Sequence, residues 1–205
     1  HKTFVEFGVE NYRESNTRFL LINDNWSGLV MDGSQEHIDF IRKDKVSWGY
    51  ELHSRCAFIT AENINELLSD FLKNGYSGEL GILSIDIDGN DYWVWKAVNT
   101  VQPVLVISEY NSLFGIEHPY TIPYQPDFQR YVADKRLQYY GTSLKALCLL
   151  AEEKGYDFIG CNSAGNNAFF IRSDKNRHFR KLTAREGYVR SRFRELRGAD
   201  GEWVS

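Results

Sequence analysis

The segment Gly81-Ile82-Leu83-Ser84-Ile85-Asp86-Ile87-Asp88-Gly89-Asn90-Asp91 carries an apolar run into three acids and a glycine. A run of this length, rich in Leu and Ile and free of proline, predicts a buried strand. Alternation along that strand sends Ser84, Asp86 and Asp88 to one side and Leu83, Ile85 and Ile87 to the other. Two carboxylates then converge on one spot at the strand's C-terminal edge. Their repulsion raises the free energy of the site unless a proton, a cation or a ligand's donor sits between them, as in a catalytic or metal-binding pair. The bland alternative is a solvated loop rim.

Similar polar tips close other apolar runs. Thr3 to Glu10 reads as a first strand carrying Glu6 and Gly8, followed by a helix from Thr17 to Ile22 that Ser15 or Asn16 can cap. The exposed amides around Asn16 and Thr17 suit an anionic group. A second strand, Trp26 to Ser34, ends in Asp32 and Gly33, and Arg55 to Thr60 forms a third, followed by Glu62 and Asn63 before a helix from Ile64 to Leu72 that Gly75 stops. Gly8 and Gly33 read equally as plain turn residues, and Asn63 as a helix cap. A fifth strand, Val104 to Asn111, finishes on Glu109 and Asn111. Asp86, Glu109 and the amide oxygen of Asn111 make a hard-oxygen set suited to Mg²⁺ or another divalent cation. His118, in the loop beyond, is the base of choice at neutral pH if no metal is present.

The elements that must position these groups alternate strand with helix. Five strands alternating with helices predict an α/β fold: a Rossmann-like three-layer sandwich on a mostly parallel seven-stranded sheet. The closing antiparallel hairpin pairs Tyr156–Cys161 with Asn167–Arg172. The helix before it starts at Thr142 or Ser143 and ends at Gly155. Between Ser112 and Tyr140 the periodicity fades into a long loop with Pro119, Pro123 and Pro126 among Tyr120, Tyr124 and Phe128, as in a lid or substrate wall. Residues 1–172 form the domain. Residues 173–205 form a basic tail with nine Lys or Arg against five Asp or Glu, expected to be helical and to pack on the domain or at a contact between copies.

At 205 residues with 42% hydrophobic composition, one sizeable core is within reach. A net charge of −4 disfavours nucleic acid as a partner. Three cysteines without C-x-x-C spacing predict reduced thiols and a cytoplasmic protein. No segment has the ~18 consecutive apolar residues of a membrane span. The chain opens on His1 inside a strand-like run, so removal of a leader or tag ahead of it is expected.

Together, the acid and glycine after the first strand, the acid after the second, Ala61-Glu62-Asn63, the acids after the fourth and fifth, and the hairpin resemble the class I S-adenosylmethionine-dependent methyltransferases over residues 3–172. Ser84-Ile85-Asp86-Ile87-Asp88-Gly89-Asn90-Asp91 further resembles the Lys-Ile-Asp-Val-Glu-Gly-Ala-Glu motif of FkbM-type methyltransferases, with Ser84 replacing the lysine and Asp88 and Asp91 the glutamates. The resemblance implies S-adenosylmethionine as cofactor. Asp32 would grip the ribose diol, Glu6 with the backbone around Gly8 the ammonium, Arg18 or the helix amides the carboxylate, and the Glu62-Asn63-Ile64 turn the adenine. Comparison with cation-dependent members extends to Asp86, Glu109 and Asn111. The family usually has two or three glycines in the first turn where this chain has Gly8 alone.

On this reading Asp86, Asp88, Glu109, Asn111 and His118 face the methyl acceptor, a sugar or other small polar hydroxyl compound that the aromatic loop can stack on. Two further readings stay open: an Asp-x-Asp metal-dependent glycosyltransferase or phosphohydrolase, and a methyltransferase-like module that binds without catalysis.

Overall fold

The computed structural model describes residues 2–73 and 79–191, and the backbone of 196–197 and 203–204. Gly75, expected to stop a helix, lies outside the described residues, as do 192–195 and 198–202 of the tail.

One compact unit comprises His1–Ile87 and Ala97–Val106. Its elements are β1 (Thr3–Phe7), α1 (Arg18–Asp24), β2 (Ser27–Asp32), α2 (Gln35–Lys43), α3 (Val46–Gly49), β3 (Leu52–Cys56), α4 (Ile64–Lys73) and β4 (Ile82–Ile85). β1 pairs in parallel with β2 on one side and β4 on the other, and β2 pairs in parallel with β3. A strand flanked on both edges and covered on both faces has nowhere to expose a side chain. Phe4, Val5, Glu6 and Phe7 are accordingly all buried. The register sets Glu6 beside Val30 and Ser84.

The other unit comprises Asp88–Lys96 and Ile107–Ser205. It holds most of α5 (Asp91–Ala97) and of β5 (Leu105–Glu109), then α6 (Arg130–Ala133), α7 (Leu144–Glu153), β6 (Tyr156–Cys161), β7 (Asn167–Arg172) and α8 (Ala184–Gly187). β6 and β7 form the expected antiparallel hairpin. Ser143 caps α7 by accepting from the Ala146 amide at 3.3 Å. The long loop is pinned within this unit, where Asn90 Nδ2 donates to Gln125 O at 2.7 Å and Trp93 Nε1 to Ile122 O at 2.9 Å.

The strand order β3-β2-β1-β4-β5-β7-β6 makes a seven-stranded mixed sheet, the Rossmann-like α/β arrangement expected. The order reverses between β1 and β4, and in open α/β sheets ligands bind beyond the carboxyl ends of the strands at such a reversal.

Boundaries differ from the sequence reading in two informative places. β3 lies four residues or so upstream of the expected Arg55–Thr60 run, because its buried and exposed positions alternate and its polar His53 and Arg55 disguise an edge strand. β4 ends at Ile85, so Asp88 lies outside the strand with φ +59, and the alternation that put it beside Asp86 does not apply.

The tail also departs from the expected helix. Among described residues its helix is the single turn α8, held by a capping box between Thr183 and Glu186. Residues 188–191 run as a strap on the second unit: Tyr188 OH donates to Ser112 O at 2.6 Å, Tyr110 OH donates to Val189 O, and the Ser191 amide donates to Ser112 Oγ at 2.9 Å. Beyond it, Leu196–Arg197 and Trp203–Val204 pair as a short antiparallel ribbon. No helix among the described residues is long and apolar enough to cross a membrane.

Candidate functional site

Beyond β1 the chain makes a turn that carries positive φ at alternate residues: Gly8 (+70), Glu10 (+47) and Tyr12 (+62). Gly8 has no alternative, because a Cβ there would lie 1.5 Å from Asp86 O. Glu10 and Tyr12 adopt the left-handed region without being glycine, at a cost of about 1–2 kcal/mol each. The missing glycines of the sequence therefore leave their backbone conformation behind.

Glu6 closes this turn from below. Its carboxylate accepts the amides of Asn16 (2.8 Å) and Thr17 (3.1 Å) and the hydroxyls of Thr17 and Ser84 (3.3 Å for the latter). Tyr12 OH lies 3.0 Å from Thr17 Oγ1, giving a buried chain of hydroxyl, hydroxyl and carboxylate. Burial raises the Glu6 pKa above the ordinary carboxylate value, and the hydrogen bonds from Thr17, Asn16 and Ser84 offset part of that rise. Two expectations change. Glu6 serves the turn rather than a ligand's ammonium, and Thr17, fully buried with its hydroxyl bonded to Glu6, is structural. Asn16 spans the same cluster, Nδ2 donating to Ser84 Oγ at 3.0 Å. Arg18 stacks on the Tyr12 ring at 5.6 Å and lies 3.7 Å from Asp44.

At the end of β2, Asp32 Oδ2 accepts the Glu10 amide at 2.8 Å and Oδ1 the Ser34 amide at 2.8 Å, with His37 Nδ1 3.0 Å from Oδ1. A carboxylate offers about four lone-pair directions, so three are engaged and acceptor capacity remains for a hydroxyl. Gly33, next along, is exposed and lacks a positive φ, and a Cβ there would sit 3.3 Å from the Phe58 ring.

The turn after β3 departs further from expectation. Asn63 is a turn staple: Oδ1 accepts the Thr60 amide at 2.9 Å and Nδ2 donates to Phe58 O at 2.8 Å. Its amide is thus committed to the turn before the helix, with Oδ1 on Thr60 and not on an amide of the helix that follows, and Ile64 is fully buried. Glu62 is exposed. The flat surface here is instead Phe58, 47% exposed beside Gly33. Phe58 lies inside the expected Arg55–Thr60 strand, and only the earlier end of β3 at Cys56 puts it in the turn.

The strand-end acids separate into different environments. Asp86 is half-buried just beyond β4. Asp88 turns outward, its Oδ1 accepting from Arg130 Nη1 at 2.8 Å, so the expected Asp86 and Asp88 pairing on one strand face is corrected. Asp91, not singled out before, is fully buried; its Oδ2 accepts the Gly89 amide at 3.0 Å, and one of its oxygens comes within 4.8 Å of one of Glu109. Asn111 is committed to its own surroundings: its oxygen caps the following turn through the Leu113 amide at 3.0 Å and its Nδ2 donates to Gln138 O and Tyr140 O. His118 is exposed, its ring 5.4 Å from that of Tyr120.

No protein-family model matches this sequence, and no curated protein matches it. Solved structures with a similar arrangement include a SAM-dependent methyltransferase from Aquifex aeolicus (8% identity, TM-score 0.42, 83% of this chain and 81% of that one). An S-adenosylmethionine-dependent methyltransferase from Clostridium acetobutylicum ATCC 824 is similar at 12% identity and TM-score 0.45 over 82% of each chain. The N-terminal domain of EvdMO1, determined in the presence of SAH and D-fucose, is similar at 13% identity and TM-score 0.47 over 82% of this chain and 73% of that one. Likenesses at this level leave function to be read from the chain's own residues.

Proposed function

We propose that this chain is an S-adenosylmethionine-dependent methyltransferase acting on the hydroxyl of a sugar or other small polar compound. The observation that carries it is Asp32: a carboxylate at the end of β2, one strand from the reversal of strand order, held by two backbone amides with acceptor capacity left over. A ribose hydroxyl can donate to the one direction that the two amides and His37 leave free. Phe58 supplies the flat wall an adenine ring needs, and the turn from Gly8 to Tyr12 brings backbone rather than side chain toward the rest of the nucleoside.

When bound, the sulfonium cofactor supplies an electrophilic methyl. The chain must then orient a hydroxyl in line and take its proton. Glu109 and Asp91 are buried carboxylates of the second unit suited to taking that proton, and their neighbouring oxygens would also suit a divalent cation that lowers the hydroxyl's pKa. The loop carrying exposed Tyr120, Tyr131 and Tyr139 offers rings for a sugar face. The Asp-x-Asp readings lose their basis, since Asp88 is turned to Arg130.

Titration calorimetry with S-adenosylhomocysteine tests the proposal. Binding that weakens at least tenfold in Asp32→Ala supports it; no heat at millimolar ligand ends it. Binding without turnover across a panel of hydroxyl acceptors would instead favour a non-catalytic module.

A further inference from the structure

We propose that Arg130 reads a carboxylate on the acceptor, and that Asp88 is the resident group it releases when the acceptor arrives. The word acceptor rests on the methyltransferase reading; the binding event does not.

The guanidinium is already in place. Its Nε and Nη2 donate to Leu137 O at 2.9 and 2.7 Å, and its carbon lies 3.6 Å from the centroid of the buried Tyr140 ring. These contacts fix both the position and the plane of the fork while leaving Nη1 to Asp88. A planar fork with its orientation already set loses little freedom on taking a carboxylate.

Asp88 is the loosely held partner. Its side chain is 62% exposed against 26% for Arg130, so water reaches the pair from the Asp88 side. An ion pair that open contributes on the order of 0–1 kcal/mol. Asp88 also sits in the left-handed region at φ +59. An incoming carboxylate takes the place of Asp88 at the guanidinium, while Asp88, already 62% exposed, turns to water that screens its charge. The floor is firm: Gly89 is packed so closely on Phe128 that a Cβ would lie 2.3 Å from the ring, and Asn90 is tied to Gln125 O. The ligand class is a small hydroxy acid or a sugar acid.

Calorimetric titration with D-glucuronate and, in parallel, D-glucose tests this without any cofactor. Glucuronate is expected to bind at least tenfold more tightly than glucose, and Arg130→Lys, which keeps the charge but not the fork, to abolish that preference in a protein that stays folded by circular dichroism, its melting temperature lowered by the lost bonds to Leu137 O. Asp88→Asn, which tolerates the left-handed backbone, is expected to tighten glucuronate several-fold and leave glucose unaffected. Equal affinity for the two sugars, binding of neither, or an Asp88→Asn protein that binds glucuronate no better than the parent overturns the proposal. Glucuronate binding as described with no response to S-adenosylhomocysteine would remove the methyltransferase reading and leave this site standing.

Discussion

The Glu10 amide donates to Asp32 Oδ2 at 2.8 Å, and Glu10 makes that bond with φ at +47. The left-handed backbone is therefore part of how the β2 acid is held. Glu10→Gly keeps the amide and removes a strain of about 1–2 kcal/mol, against a loss of about 0.5–1 kcal/mol for the freer unfolded chain. A net gain of about 0.5–1 kcal/mol is expected, seen as a higher urea midpoint. Tyr12→Gly should go the other way, because relief at φ +62 is outweighed by deleting a fully buried ring, worth about 3–5 kcal/mol. If both variants shift stability in the same direction, backbone strain is not what distinguishes these positions.

How much of this was legible beforehand varies element by element. The β1, β2 and β4 strands announce themselves as apolar runs, because strands covered on both faces tolerate little else, whereas the hairpin is marked by the turn at residues 163–166 between its two arms. Edge strand β3 does not read as an apolar run, since its His53 and Arg55 face water and only Leu52 is buried. Asp32 was legible as an acid closing an apolar run. The fate of Glu6 was not, because its partners Asn16 and Thr17 lie ten residues on and meet it only when the turn folds back. Strand alternation does not reach Asp88, three residues past the last ladder position, and Asp91 enters the sequence reading only as a position of the motif, because its burial depends on the fold of the second unit.

Glu6 gives the fold a pH dependence whose sign follows from its raised pKa. An acid that holds its proton more tightly folded than unfolded adds stability at pH below the unfolded value, near 4.5, and that contribution is lost as pH rises through the folded value. Glu6→Gln cannot ionise. Urea unfolding from pH 4 to 8 should therefore show the parent losing ground to the variant as pH climbs. A parent that gains on the variant over that range would mean the hydrogen bonds to the carboxylate outweigh its desolvation.

Phe58 separates stacking from mere apolar contact at the proposed nucleoside site. Stacking a base on an aromatic ring is worth about 1–3 kcal/mol, so Phe58→Ala should weaken S-adenosylhomocysteine by roughly tenfold or more. Phe58→Tyr should bind as the parent does, and Phe58→Leu should fall between. Because Phe58 is half exposed, none of the three should alter the melting temperature much. Leucine performing as well as tyrosine would show that the ring's flatness is irrelevant.

Gly165 decides whether the tail is part of the second unit or an appendage. It has φ +78, and an added Cβ would lie 2.6 Å from Ser191 N and 2.8 Å from Val189 O, both backbone atoms of the strap. Gly115 has a similar φ, +68, but open space around it. Both alanine variants bear the strain of the left-handed backbone, about 1 kcal/mol, whereas only Gly165→Ala must also push the strap off. That movement costs the bonds of Val189 and Ser191 to Tyr110 and Ser112, each worth about 1 kcal/mol. Gly165→Ala is therefore expected to lose about 1–2 kcal/mol more than Gly115→Ala in urea unfolding, and to become sensitive to trypsin at Arg190 in the native state. Equal losses in the two variants, with Arg190 equally protected, would show that the strap contributes nothing to holding the second unit together.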